Sequence, residues 1–185
     1  MLSALAQINS TVGDLSGNSS RIVDFARRAA ERGAELVVFP ELALTGYPPR
    51  DLLEKQSFLE RTEAQLHELA AATAALSPTL IVGTVTTAEC GEGNHIYNSA
   101  AVLSRGNIIF RQNKMLLPTS DVFDEARYFR PADSQSPLVL ENHRAGLVIC
   151  EDAWNDKNYR ERLRYSRDPI GERARTGVEF LDSIN

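Results

Sequence analysis

Two periods of apolar residues share this chain. "LSALAQI", at residues 2–8, reads as a short strand. In "NSSRIVDFARRAAERG" (18–33), Ile22, Phe25, Ala26 and Ala29 fall at the i, i+3, i+4, i+7 spacing of one helix face, and Gly33 stands where a C-terminal cap belongs. "AELVVFPE" is a buried strand stopped by Pro40, and "LALTGYPPRD" after it is rich in turn residues. A long helix is predicted over 51–76, with Leu59, Leu66, Leu69, Thr73 and Leu76 as its inner stripe. "TLIVGTVTT" is apolar and β-branched, as a strand buried on both faces requires.

The second half has a different rhythm. "SAAVLS", the turn "RGN" and "IIFR" predict a hairpin, and "PLVLENHRAGLVIC" predicts another, ending at Cys150. Asp168-Pro169 reads as the cap and first turn of a helix that stops near Gly177, and strand character resumes at "VEFL" (178–181). Helices alternating with apolar strands, plus hairpins, argue a single α/β domain with mixed sheets over 1–185.

Composition narrows the partners. The 185 residues are 43% hydrophobic and 24% charged, with a net charge of −5, which argues against a general nucleic-acid binder. The run 157–175, "KNYRERLRYSRDPIGERAR", is locally basic and reads first as a solvated helix face. No apolar run approaches a membrane span, and the N-terminus lacks a basic leader. Cys90 and Cys150 form no C-x-x-C and are expected reduced in the cytoplasm. His67, His95 and His143 are too scattered to predict a metal site.

The chemistry gathers where strands hand over to loops. Cys150 closes an apolar run and is followed by Glu151 and Asp152. Burial and neighbouring negative charge both raise a thiol pKa, so a working Cys150 needs a base and a cation from elsewhere. Glu41 follows "LVVFP", and Lys114 follows "NIIFRQN". By spacing alone, Cys150 reads more readily as a core thiol, Glu41 as a solvated cap and Lys114 as a surface cation.

"VVFPELALTGYPPRDLL", "KMLLPTSDVFDEARYF" and "GLVICEDAWN" change that reading. In this order they resemble the nitrilase superfamily of carbon–nitrogen hydrolases, and within it the N-terminal glutaminase domain of glutamine-dependent NAD synthetases. The resemblance implies a four-layer α-β-β-α sandwich, incomplete at its C-terminus, that pairs into homo-oligomers. It also implies Glu41 as general base, Lys114 as cation and Cys150 as nucleophile. Glu125 would orient the lysine or the substrate, Tyr47 and Phe123 would line the pocket, and Glu151 and Trp154 would recognise substrate or shape the ammonia exit.

Ser120 stands where the family carries a substrate-contacting tyrosine, which predicts weaker glutamine affinity. The partners implied are glutamine and an ammonia-accepting synthetase domain. ATP and Mg²⁺ are expected only for that second domain, because neither an S-G-G-x-D-S loop nor a Walker A motif occurs in this sequence. A stand-alone amidohydrolase acting on another amide and an inactive fragment are the alternatives.

Overall fold

The computed structural model describes residues 1–88, 95–119, 123–140, 143–155 and 164–185. Cys90 and Ser120 lie outside the described residues, as does most of the first half of the basic run.

Five strands form the first sheet: β1 (Ser3–Leu5), β2 (Leu36–Val38), β3 (Thr79–Thr87), β4 (Ile96–Ser104) and β5 (Asn107–Asn113), in spatial order β1-β2-β3-β4-β5. β1, β2 and β3 are parallel, and β3, β4 and β5 are antiparallel. The parallel pairs need helical crossovers, supplied by α1 (Leu15–Ala30) and α2 (Gln56–Ala72). The β4–β5 pair needs only Arg105 and Gly106. Both are left-handed (φ 49° and 83°), as a tight hairpin turn that matches strand twist demands.

Three strands form the second sheet: β6 (Leu138–Leu140), β7 (His143–Ile149) and β8 (Phe180–Ile184), with β6 antiparallel and β8 parallel to the central β7. The short helix α4 (Pro169–Ala174) crosses from β7 to β8. Asp168 caps it, its Oδ1 accepting from the Gly171 N–H at 2.9 Å.

Two cores follow from strand alternation. Val37, Leu80, Val82, Ala101 and Leu103 pack with Ile22, Ala26, Leu66 and Leu69 of the helices. Leu36, Val38, Ile81, Ala100 and Val102 point the other way, against Leu138, Leu140, Ala145, Leu147, Ile149 and Ile184 of the second sheet. With α4 outside β7, the layers run helix, sheet, sheet, helix, the α/β arrangement the resemblance implies.

Several boundaries moved. The predicted helix 51–76 is a 3-10 segment, Arg50–Glu54, then α2, with Lys55 extended between them (φ −96°, ψ 107°). α1 starts at Leu15, three residues before the predicted stretch, because Asp14 caps it, accepting from Gly17 N–H at 3.0 Å. Asn18 is buried, its Nδ2 donating to Thr11 O (2.8 Å) and Leu44 O (3.0 Å) and tying α1 to the loop after β2. Strand β8 begins at Phe180 and runs to Ile184, later and longer than "VEFL".

Arg173 is not on a solvated face. Its guanidinium is fully buried and donates to Leu147 O (2.9 Å), Gln112 Oε1 (2.8 Å) and Ser136 O, joining α4 to both sheets. Burial pulls its pKa down to about 10.

Candidate active site

Glu41, Lys114 and Glu125 converge at one end of the inter-sheet seam, beside Cys150. β2 is followed by Phe39-Pro40, and the chain folds into a tight turn in which Gly46 N–H reaches Leu42 O at 2.8 Å. Gly83 of β3 makes room for this turn. A Cβ there would lie 2.3 Å from Leu42 N and from Pro40 O. The turn therefore rests on the strand backbone and delivers Glu41 to a buried position.

Lys114 is the first residue after β5, and its N–H donates to Asn98 O at 2.8 Å. Its side chain is fully enclosed. Nζ donates to Glu41 Oε1 at 2.6 Å and to Glu125 Oε1 at 3.0 Å, and Glu125 Oε2 lies 2.9 Å from it without hydrogen-bond alignment. Burial acts to lower the Lys114 pKa, but the two carboxylates outweigh it and hold the ammonium above its ordinary value.

Glu125 opens the one-turn helix α3 (Glu125–Tyr128) and accepts from Tyr47 Oη at 3.1 Å. Burial pushes its pKa up against the pull of Lys114. Tyr47 is raised by burial and then by Glu125, so it stays a donor. Its ring meets Phe123 at 6.1 Å between centroids. Beyond them, Tyr47, Pro49, Leu53, Glu125 and Tyr128 line a cavity of about 320 Å³.

Cys150 is not the last strand residue. It begins a 3-10 turn, Cys150–Ala153, with φ +45°, a left-handed conformation costly for any residue with a Cβ. Its thiol is pushed up to about 12, first by burial and then by the Glu41 charge, with Lys114 opposing and a hydrogen bond to Glu41 adding to the rise. The two carboxylates behind it turn away. Asp152 accepts from the backbone N–H of Ile149 (3.1 Å), Met115 (3.0 Å) and Leu116 (2.8 Å). Glu151 Oε1 lies 3.2 Å from Tyr165 Oη, which is also 3.2 Å from Leu117 O. Trp154 is 58% exposed.

Three supporting residues escaped the sequence reading. Asn98 is buried in β4 and donates from Nδ2 to Glu41 Oε1 at 2.7 Å. Its signal was a lone amide in an apolar run, "YNSAAVL". Asp152 was read as a charge beside the thiol rather than as a clamp. Tyr165 lay in a segment read only as basic.

A thiol, a carboxylate and an ammonium on two sheets suit nucleophilic attack on an amide carbon. The family model for carbon–nitrogen hydrolases matches residues 2–164. The chain belongs to the carbon–nitrogen hydrolase family. This hydrolase domain is 40% identical over 185 residues to a glutamine-dependent NAD⁺ synthetase of Synechocystis, covering 98% of this chain and 33% of that protein. It is 41% identical over 151 residues to the synthetase of Thermotoga maritima, covering 82% and 25% respectively.

Among solved structures, a glutamine-dependent NAD⁺ synthetase of Acinetobacter baumannii superposes with a TM-score of 0.82 at 29% identity, over 99% of this chain and 32% of that one. An amidase of the nitrilase superfamily from Nesterenkonia superposes at 0.77 over 98% of this chain and 63% of its own, and at 22% identity it speaks for the fold alone. The carbon–nitrogen hydrolase domain thus spans about a third of the synthetases it matches. No helix among its described residues is long and apolar enough to cross a membrane.

Proposed function

We propose that this domain hydrolyses the side-chain amide of glutamine and passes ammonia to an NAD synthetase domain outside the chain. The observation that carries this reading is the buried Lys114 ammonium held between Glu41 and Glu125 beside Cys150. The synthetases among its relatives support the choice of glutamine.

In this reading the Cys150 thiol stays protonated until substrate arrives. Cys150 Sγ attacks the amide carbon as Glu41 takes the thiol proton, and the carbonyl electrons move onto oxygen. Lys114 Nζ and the backbone N–H of Glu151 stabilise that oxyanion. Its collapse breaks the carbon–nitrogen bond, and Glu41 returns the proton to the leaving nitrogen. Water, deprotonated by Glu41, then attacks the thioester carbon, breaking the carbon–sulfur bond; glutamate leaves and the Glu41 proton returns to Cys150 Sγ. Tyr47, Phe123, Glu151 and Trp154 surround the substrate, and Ser120, by sequence, offers a shorter hydroxyl and no ring where the family has a tyrosine. ATP and Mg²⁺ serve the synthetase domain, and no step on this chain runs through them. The assembly is proposed to be homo-oligomeric and cytoplasmic.

The test is labelling by an electrophilic glutamine analogue such as a diazoketone, read by peptide mass spectrometry. Selective modification at Cys150, slowed by glutamine, is expected. Labelling indifferent to glutamine would overturn the substrate assignment. Ser120 favours one second reading, a hydrolase acting on another amide. Protection by a different amide and not by glutamine would establish it.

A further inference from the structure

We infer that Asn98 is a positioning residue that acts through Glu41, pinning one carboxylate oxygen so that the other is aimed at the thiol proton of Cys150. The inference rests on the role proposed above for Glu41. It does not depend on which amide is hydrolysed.

Glu41 Oε1 carries two donors, Lys114 Nζ at 2.6 Å and Asn98 Nδ2 at 2.7 Å. Charge-assisted bonds this short define a direction, and two on one atom fix the carboxylate plane. A single donor would let the carboxylate rotate and exchange its oxygens. With Oε1 saturated, Oε2 is left to receive a proton. Asn98 also fixes the other partner, since its own backbone carbonyl accepts from Lys114 N–H at 2.8 Å. One residue of β4 thus sets both the base and the start of the segment that carries the cation.

The arrangement has a cost that packing does not explain. An amide facing a carboxylate must present its NH₂, which turns Oδ1 away. That Oδ1 is buried and has no hydrogen-bond partner among the described residues. A buried acceptor left unpaired costs about 1–3 kcal/mol. On the same face of β4, Ala100 and Val102 are apolar and pack between the sheets. An aliphatic side chain at 98 would continue that face without an orphaned acceptor. Buried polar groups that lower stability in this way are kept where they serve the site.

The deciding experiment is a double-mutant cycle on the chain itself. Asn98→Leu and Glu41→Gln are made singly and together, and alkylation of Cys150 by iodoacetamide at pH 9 is followed by peptide mass spectrometry. Asn98→Leu alone should speed alkylation about fivefold, because the unpinned carboxylate turns away from the thiol it otherwise keeps protonated. In the Glu41→Gln background the same change should alter the rate less than about twofold.

Where an amide is hydrolysed, Asn98→Leu should lower kcat about 100-fold and leave KM within about threefold, with the urea midpoint unchanged or raised. Asn98→Asp keeps the volume and removes the donor, and should lower kcat at least as far should the leucine variant not fold. Equal effects of Asn98→Leu in both backgrounds, or wild-type rates in both variants, would overturn the inference. Loss of glutamine turnover in the wild type alone would count against the substrate and leave the alkylation cycle decisive.

Discussion

Asp152 Oδ1 accepts from the backbone N–H of Leu116 at 2.8 Å, across 36 residues of sequence. The same oxygen takes Met115 N–H and the other takes Ile149 N–H, so one carboxylate ties the segment after Lys114 to the turn that carries Cys150. Asp152→Ala leaves three buried donors unpaired, at about 1–3 kcal/mol each. The expected loss is about 3–9 kcal/mol, and Asp152→Asn, which must turn its NH₂ toward at least one of those N–H groups, should lose somewhat less. Urea denaturation of the three proteins checks this, and variants as stable as the wild type would refute the clamp.

The same carboxylate predicts a pH dependence. Burial, opposed by its three N–H bonds, pushes Asp152 up to about 6, against the ordinary aspartate value near 4. Between those values the folded protein binds the proton more tightly than the unfolded chain. This group's contribution is therefore fully present below about pH 4 and is lost as pH rises through about 6, by about 2–3 kcal/mol. The difference in unfolding free energy between wild type and Asp152→Asn should shrink across that window, read from urea midpoints at pH 4, 5, 6 and 7.

Glu41 should give opposite results in two assays. As base it is needed for turnover, so Glu41→Gln should lower amide hydrolysis about 10²–10⁴-fold. As a negative charge and hydrogen-bond partner it raises the Cys150 thiol, so the same variant should alkylate faster with iodoacetamide. With the thiol near 12, only about 10⁻⁴ is thiolate at pH 8, against about a quarter of an ordinary cysteine. A variant slowed in both assays would remove Glu41 from contact with the thiol.

Gly83 tests how the base is delivered. A methyl group at this position meets backbone atoms of Pro40 and Leu42 at 2.3 Å, and backbone cannot swing aside as a side-chain tip does. Gly83→Ala should cost about 1–3 kcal/mol and reduce hydrolysis more than its stability loss explains, because the displaced turn carries Glu41. Unchanged turnover would show that the turn can shift without moving the carboxylate.

Tyr165→Phe removes the hydroxyl shared between Glu151 Oε1 and Leu117 O. If Glu151 binds substrate, one lost hydrogen bond of about 1 kcal/mol should raise KM about fivefold and change kcat little. A fall in kcat at constant KM would assign Glu151 to the chemical step instead.

What could be read from the sequence was whatever repeats or punctuates. β3 matches "TLIVGTVTT" because its apolar run is long and bounded, and the β4–β5 hairpin matches because Arg105-Gly106 leaves few alternatives. The break at Lys55 was invisible because the apolar spacing continues through it. The Glu41–Lys114–Glu125 cluster was legible only through its flanks, since residues 73 apart meet by sheet topology rather than by spacing. Asn98 left only a lone amide in an apolar run as its trace, and Asp152 only a charge beside the thiol. Their work is done by side-chain hydrogen bonds to partners far along the chain, and no local period marks a buried acceptor.

Glu41, Asn98 and Lys114 stand on the five-stranded sheet, and Cys150 stands on the three-stranded one. The reacting atoms therefore straddle a sliding plane. A misplacement of about 1 Å can cost 10²-fold in rate, far less motion than unfolding requires. Turnover becomes a gauge of sheet-on-sheet registry: on heating or under pressure it should fade while the secondary structure is still intact.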